Sequence, residues 1–188
     1  MFYYGNSQFY LQSFDYLSLI FRDILLPCIL IYTLVLPILG RYIKIKIIFF
    51  NYKFSLREIY LIWFSQIFTL VLFVNLVLKN LWGRSRPGDI VEFNGSEFFT
   101  AWFEYSDACN TNCSFVSGDA SVGFSIIILY FITKKIVFVN LSIVFGILLG
   151  IIRIIAGGHF SSDIVFAGLI IILSNLIIYK IYKKYYDY

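Results

Sequence analysis

Residues 141–178 read LSIVFGILLGIIRIIAGGHFSSDIVFAGLIIILSNLII. Two apolar runs, Leu141 to Ile152 and Ile164 to Ile178, flank one polar turn, and runs of this kind suit helices that cross a bilayer. The turn holds the chain's only histidine, His159, with Arg153 six residues before it and Asp163 four residues after it. A helix beginning near His159 would put His159 and Asp163 on one face by the i, i+4 relation. A carboxylate there fixes the imidazole tautomer and sharpens the other ring nitrogen as a base or nucleophile. Arg153 adds a permanent charge suited to an anionic substrate. A histidine beside an acid is often only structural, so the pair gains weight from what lies upstream.

Composition places the whole chain in the same setting. Of 188 residues, 60% are hydrophobic and 14% charged, and the mean hydropathy is +0.83. Soluble domains run nearer half apolar and a quarter charged, so an ordinary soluble fold is excluded. The formal charge of +4 says less than where the basic residues fall, and no nucleic-acid partner is expected. Cys28, in an apolar run, reads as a small core residue. Cys109 and Cys113 lie close together in a polar segment. The first twenty residues lack a basic start, and no cleavable leader is expected there.

Taken in order, the sequence predicts an all-α, polytopic membrane helix bundle forming one domain over residues 1–188. Residues 1–23 are aromatic and mixed, fit for a membrane interface. Five apolar runs follow: Ile24–Gly40, Ile59–Leu78, Ala120–Thr133, Ile136–Ile152 and Ile164–Tyr179. Several fall short of the roughly 20 residues a bilayer asks for, so their ends extend into neighbouring polar residues. The Arg41–Arg57 loop, the Lys134-Lys135 turn and the tail with Lys183 and Lys184 are basic and fall on one side. Basic loops stay in the cytoplasm, which sets the N-terminus outside and the C-terminus inside. Residues 79–119, carrying most of the acids, then form an outer loop on the same face as the Arg153–Asp163 turn.

That face collects every candidate for chemistry. Lys79-Asn80-Leu81-Trp82-Gly83-Arg84-Ser85-Arg86-Pro87 ends the second apolar run. Lys79 and Arg86 stand about two helical turns apart and face the same way if the helix continues. Flanking charge is the bland alternative for both. Phe115-Val116-Ser117-Gly118-Asp119-Ala120-Ser121 opens the third run, where a Ser-Gly turn into a helix presents backbone N–H groups to an anion. A plain N-cap satisfies the same residues.

Together the three motifs resemble the type 2 phosphatidic acid phosphatase superfamily, with its pattern K-x6-R-P, P-S-G-H and S-R-x5-H-x3-D. Here the first reads Lys79…Arg86-Pro87 and the third Arg153…His159…Asp163. The resemblance implies that His159 attacks phosphorus to form a phosphohistidine, with Asp163 holding its imidazole. Lys79, Arg86, Arg153, the Ser117 hydroxyl and the Gly118 N–H would bind the phosphoryl oxygens. Such a clamp fits a transition state that spreads charge over equatorial oxygens. No metal or other cofactor is implied, and one histidine without clustered acids is a poor ligand set.

Three positions depart from the pattern: Val116 replaces proline, Asp119 replaces histidine and Ile152 replaces serine. The stretch Asn112-Cys113-Ser114-Phe115-Val116-Ser117-Gly118-Asp119-Ala120-Ser121 is similar to the lipid A 4′-phosphatases of Gram-negative bacteria, which carry N-C-S-F-V-x-G-D-A-S there. Val91-Glu92-Phe93-Asn94-Gly95 and Gly157-Gly158-His159 share that similarity. On this resemblance Asp119 takes the acid role of the missing histidine. The site would face the periplasm from the bacterial inner membrane, with a lipid phosphate in the outer leaflet as substrate. Polyprenyl diphosphate and phosphatidylglycerophosphate are the rivals within the same chemistry, and a non-catalytic lipid-phosphate binder is the rival outside it. A transporter is disfavoured, because no ionisable residue falls mid-span.

The superfamily usually has six helices. The five runs here would lack the first, residues 1–23 taking the place of the loop after it. Cys109 and Cys113 would be able to pair in an oxidising periplasm. Trp82, Phe98, Phe99, Trp102 and Phe103 would line the interface where an amphipathic substrate enters. Nothing in the sequence fixes an oligomeric state.

Overall fold

The computed structural model describes residues 52–186 without a break. Before them it describes only short paired pieces, Tyr3–Tyr4 with Gln8–Phe9 and Ile48–Phe49 with Tyr52–Lys53, and isolated helical positions at Ile24 and Val35. Most of the expected interfacial segment 1–23, of the expected span Ile24–Gly40 and of the Arg41–Arg57 loop therefore lies outside the described residues. What is described is mostly helical with little strand.

Helix α1 runs Leu56–Leu81. It starts at a capping box, in which Ser55 Oγ accepts from Glu58 N–H and Glu58 accepts from Ser55 N–H. Tyr52 donates its hydroxyl to Glu58 as well, at 2.6 Å. Burial and Glu58 push the Tyr52 phenol up to about 12. The middle of the helix, Ile67–Leu78, is wound as a π-helix, and Asn75 donates back to the Leu70 carbonyl at 2.8 Å. The expected run Ile59–Leu78 thus extends at both ends and takes in Lys79. It stops at Leu81, so Lys79 and Arg86 do not share a continuous helix. Gly83 turns the chain with φ 68°, a conformation open to glycine.

The expected span Ala120–Thr133 is a pair of short helices, α2 (Gly118–Phe124) and α3 (Ile127–Thr133). Small polar residues cause the break: Ser121 and Ser125 turn their hydroxyls onto the Ser117 and Val122 carbonyls, competing with the helix ladder. Lys134 ends α3 in the left-handed region with φ 59°. Helices α4 (Val137–Ile155) and α5 (Ser161–Tyr186) complete the set. Among the described residues, three helices, α1, α4 and α5, are long and apolar enough to cross a membrane.

Helix α5 shows how such a bundle sorts its faces. Asp163, Ala167, Ile171 and Asn175 recur every four residues and are buried, while Val165, Leu169, Leu173 and Ile177 recur the same way and are all at least half exposed. An exposed apolar stripe of that length would drive association in water and suits a lipid-facing surface. Helix packing in such surroundings rests on close approach rather than on hydrophobic burial. Glycine supplies it: a Cβ on Gly123 would collide with the Gly146 backbone, and one on Gly146 with the Phe124 ring. Ser142 adds a hydrogen bond to the Phe124 carbonyl at 2.7 Å, fastening α4 to α2. Leu70, Val74, Phe115, Val116, Phe124, Ile164 and Ile171 fill the space between α1, α2 and α5. Phe115 and Val116 in that cluster belong to the second motif itself.

Candidate active site

Four segments converge at one end of the bundle. The loop after α1 is tied to the turn before α5 by Gly88 N–H donating to the Gly157 carbonyl at 3.0 Å. The segment before α2 is tied to α5 by Ser117 N–H donating to the Asp163 carbonyl at 3.3 Å. Lys79, Ser117, Gly118, Asp119, Arg153, His159 and Asp163 are drawn together in this way, although they span more than eighty positions of sequence.

His159 is 2% exposed. Its Nδ1 lies 2.7 Å from the Ser114 main-chain carbonyl. A carbonyl oxygen can only accept, so Nδ1 carries the proton and Nε2 keeps a lone pair. The expected direct bond to Asp163 is not made, because Asp163 Oδ2 is 3.7 Å from Nδ1, beyond hydrogen-bond reach. The reason is geometric: α5 begins only at Ser161, so His159 precedes the helix and the i, i+4 relation does not apply. Asp163 acts one residue further out. Its Oδ2 accepts from the Ser114 hydroxyl at 2.6 Å and from Phe160 N–H at 2.9 Å, fixing the residue whose carbonyl orients the imidazole.

The second oxygen of Asp163 is taken by Arg84, which the sequence reading assigned no role. Arg84 Nη1 donates to Asp163 Oδ1 at 2.5 Å and to Ser162 Oγ at 2.9 Å, and its Nε donates to the Thr100 carbonyl. Its guanidinium lies 4.2 Å over the Phe160 ring, a cation–π contact. Both partners are buried, at 2% and 0% exposure. Burial lowers the Arg84 pKa and Asp163 opposes that shift. The only sequence signal for this role was a second arginine inside the Lys79–Arg86 motif, at a spacing the motif does not use.

Lys79 Nζ donates to Asn112 Oδ1 at 3.1 Å. It also lies close to Gly118, where an added Cβ would sit 3.2 Å from Nζ. Arg86 donates from Nε and Nη2 to the Asn112 main-chain carbonyl, at 3.2 and 2.7 Å. Arg153, in the last turn of α4, places Nε 3.1 Å from Asp119 Oδ2. That N–H is not aimed at the carboxylate and finds no hydrogen-bond acceptor. The contact is therefore an ion pair rather than a charge-assisted hydrogen bond. Gly158 makes room for Arg153, since a Cβ there would meet Nη2 at 2.7 Å. Ser117 caps α2, its hydroxyl accepting from Ala120 N–H at 3.4 Å.

Burial chiefly, with Lys79 and Arg153 adding to it, lowers the pKa of His159 against an opposing pull from Asp163. The imidazole is thereby kept neutral, the form a nucleophile needs. Cys109 and Cys113 are joined by a disulfide. Trp102 stacks on Phe166 at 4.1 Å, while Phe98, Phe99 and Phe103 are exposed on the same loop. Among the described residues, no three histidine, cysteine or acidic side chains cluster as a metal site.

The family model of the PAP2 superfamily matches residues 60–187. A lipid A 4′-phosphatase of Francisella tularensis subsp. novicida (strain U112) is 42% identical over 118 residues, covering 60% of this chain and 53% of that protein. One of Rhizobium leguminosarum is 36% identical over 112 residues, covering 58% and 46%. The chain thus spans about half the length of the curated relatives it matches. No solved structure matches it. The chain belongs to the PAP2 superfamily.

Proposed function

We propose that the chain is an integral membrane phosphatase that removes phosphate from a lipid through a phosphohistidine, with the lipid A 4′-phosphate as its substrate. The observation that carries this reading is His159, its Nδ1 proton committed to the Ser114 carbonyl and its Nε2 left as a lone pair, with Lys79 and Arg153 near enough to act on the ring. In the first half-reaction Nε2 attacks phosphorus and the bond to the lipid oxygen breaks. Asp119 supplies the proton that the departing alkoxide needs. Lys79, Arg86, Arg153, the Ser117 hydroxyl and the Gly118 N–H hold the phosphoryl oxygens while charge builds on them. Water then attacks the phosphohistidine, Asp119 takes its proton, and inorganic phosphate leaves with His159 restored.

The substrate assignment draws on the relatives, both lipid A 4′-phosphatases by name. A bacterial inner-membrane location with a periplasmic site is part of the proposal, and the basic residues at the opposite end support that orientation. There Lys134 packs 4.6 Å over Tyr179, and Lys183 and Lys184 close α5. Five crossings and a single domain over residues 1–188 belong to the same proposal.

One contact favours a second reading. Asp119 is held against Arg153, and a diphosphate substrate, with its better leaving group, depends less on a proton from Asp119 than a sugar alkoxide does. Phosphate release from lipid A, undecaprenyl diphosphate and phosphatidylglycerophosphate by purified protein decides between them, with His159→Ala as blank and mass spectrometry locating the lost phosphate. Release from lipid A, abolished in the variant, is the expected result. Release mainly from the diphosphate would move the substrate, and no release would turn the reading to a lipid-phosphate binder without turnover.

A further inference from the structure

The two cations of the first motif meet in one residue of the outer loop. Asn112 takes Lys79 on its side-chain oxygen and Arg86 on its main-chain carbonyl. It sits at φ 52°, in the left-handed region that asparagine tolerates better than most residues. The disulfide between Cys109 and Cys113 closes the short loop around it. Both half-cystines are themselves fastened to the end of α1, Cys113 N–H donating to the Lys79 carbonyl and Cys109 N–H to the Gly83 carbonyl, each at 3.1 Å. Long cationic side chains lose considerable rotamer freedom when held, and a fixed acceptor shared by both lowers what remains to be lost when an anion arrives.

We propose that Asn112 is a positioning residue for the phosphate clamp, and that the Cys109–Cys113 disulfide holds it in register, so that reducing the bond weakens anion binding while leaving the nucleophile in place. The idea rests on the phosphatase reading only for its kinetic consequence; the binding consequence stands on the clamp itself. His159 is oriented from Ser114, which follows Cys113 directly but has anchors of its own, its N–H on the Arg84 carbonyl at 2.8 Å and its hydroxyl on Asp163 at 2.6 Å, so loosening Asn112 leaves the imidazole where it is.

The experiment measures binding of inorganic phosphate to the full chain in detergent, then turnover of the lipid. Asn112→Gly keeps the backbone conformation and the carbonyl facing Arg86 and removes only the contact to Lys79. It should raise the phosphate Kd about tenfold, as loss of a hydrogen bond to a charged group does, and raise KM alongside it, with kcat within about threefold. Dithiothreitol, which passes two electrons and two protons to Cys109 and Cys113 and closes to its own cyclic disulfide, should raise the Kd of the unaltered chain likewise. Asn112→Asp keeps the acceptor but sets a negative charge beside both cations, and should weaken phosphate binding further. It also serves if Asn112→Gly fails to fold. Phosphate Kd values unchanged by reduction and by either variant would overturn the proposal, as would a fall in kcat at constant KM. A chain that turns over no lipid, yet whose phosphate Kd still responds to these changes, would sink the phosphatase reading and leave the positioning role standing.

Discussion

Replacing Arg84 with alanine tests the least expected feature of the site. The guanidinium supplies Asp163 Oδ1, Ser162 Oγ and the Thr100 carbonyl and covers Phe160. At 2% and 0% exposure, neither it nor Asp163 has bulk water to fall back on. Removing one partner of a buried pair leaves an uncompensated charge, at a cost of about 3–5 kcal/mol. Against a typical total of roughly 5–15 kcal/mol, that is a large share of the fold's stability. The cost is a property of the pair, so Asp163→Asn made together with Arg84→Ala should recover part of it. A double-mutant cycle should give a coupling of at least about 2 kcal/mol, read from denaturing-detergent titrations of the four proteins. Arg84→Lys keeps the charge but not the planar fork, which here serves three acceptors at once, and should fall between the extremes. Activity per folded molecule should drop as well, because Asp163 fixes Ser114 and Ser114 orients His159. Additive single effects, or a loss under about 1 kcal/mol for Arg84→Ala, would refute the view that Arg84 anchors the catalytic turn.

Ser114→Ala deletes the hydroxyl that Asp163 accepts while keeping the carbonyl that faces His159. It should cost about 1–3 kcal/mol of stability and lower kcat far less than His159→Ala does, as parallel thermal melts and initial rates would show. The lowered pKa of His159 gives a signed expectation for pH. The unfolded chain, with an ordinary histidine near 6.5, binds its proton first as pH falls, so stability is lost below about 6.5. The acid limb of kcat/KM for a substrate whose own ionisation is complete should lie below that value too, and a His159-dependent limb above pH 7 would contradict the burial argument. Gly146→Ala puts a methyl group into the Phe124 ring at the α2–α4 contact, and should destabilise by about 1–3 kcal/mol in the same detergent titration.

Hydropathy made the helical bundle legible because lipid-facing and buried positions of a spanning helix are both apolar; α4 lies within three residues of where the sequence sets it, while α5 starts at Ser161 and runs on to Tyr186, past the expected end at Tyr179. The α2–α3 break was not legible, since it depends on which carbonyl each serine hydroxyl reaches, and an apolar count is blind to that. Lys79, Gly118, Asp119, Arg153, His159 and Asp163 come together as their motif spacing suggested. Their pairings do not follow from spacing, because a loop rather than a helix carries His159 and so hands its Nδ1 to Ser114. Arg84 and Asn112 went unread for a related reason. Both act through backbone or through a second side chain, and neither role leaves a periodic trace. On the proposed reading the motif residues are the groups that would face the phosphoryl centre, whereas the groups that fix their geometry lie wherever the loops pass. On that reading Arg84 behind Asp163 and Asn112 behind Lys79 and Arg86 occupy equivalent places: each would satisfy in advance a charge that must stay still while the phosphoryl group moves.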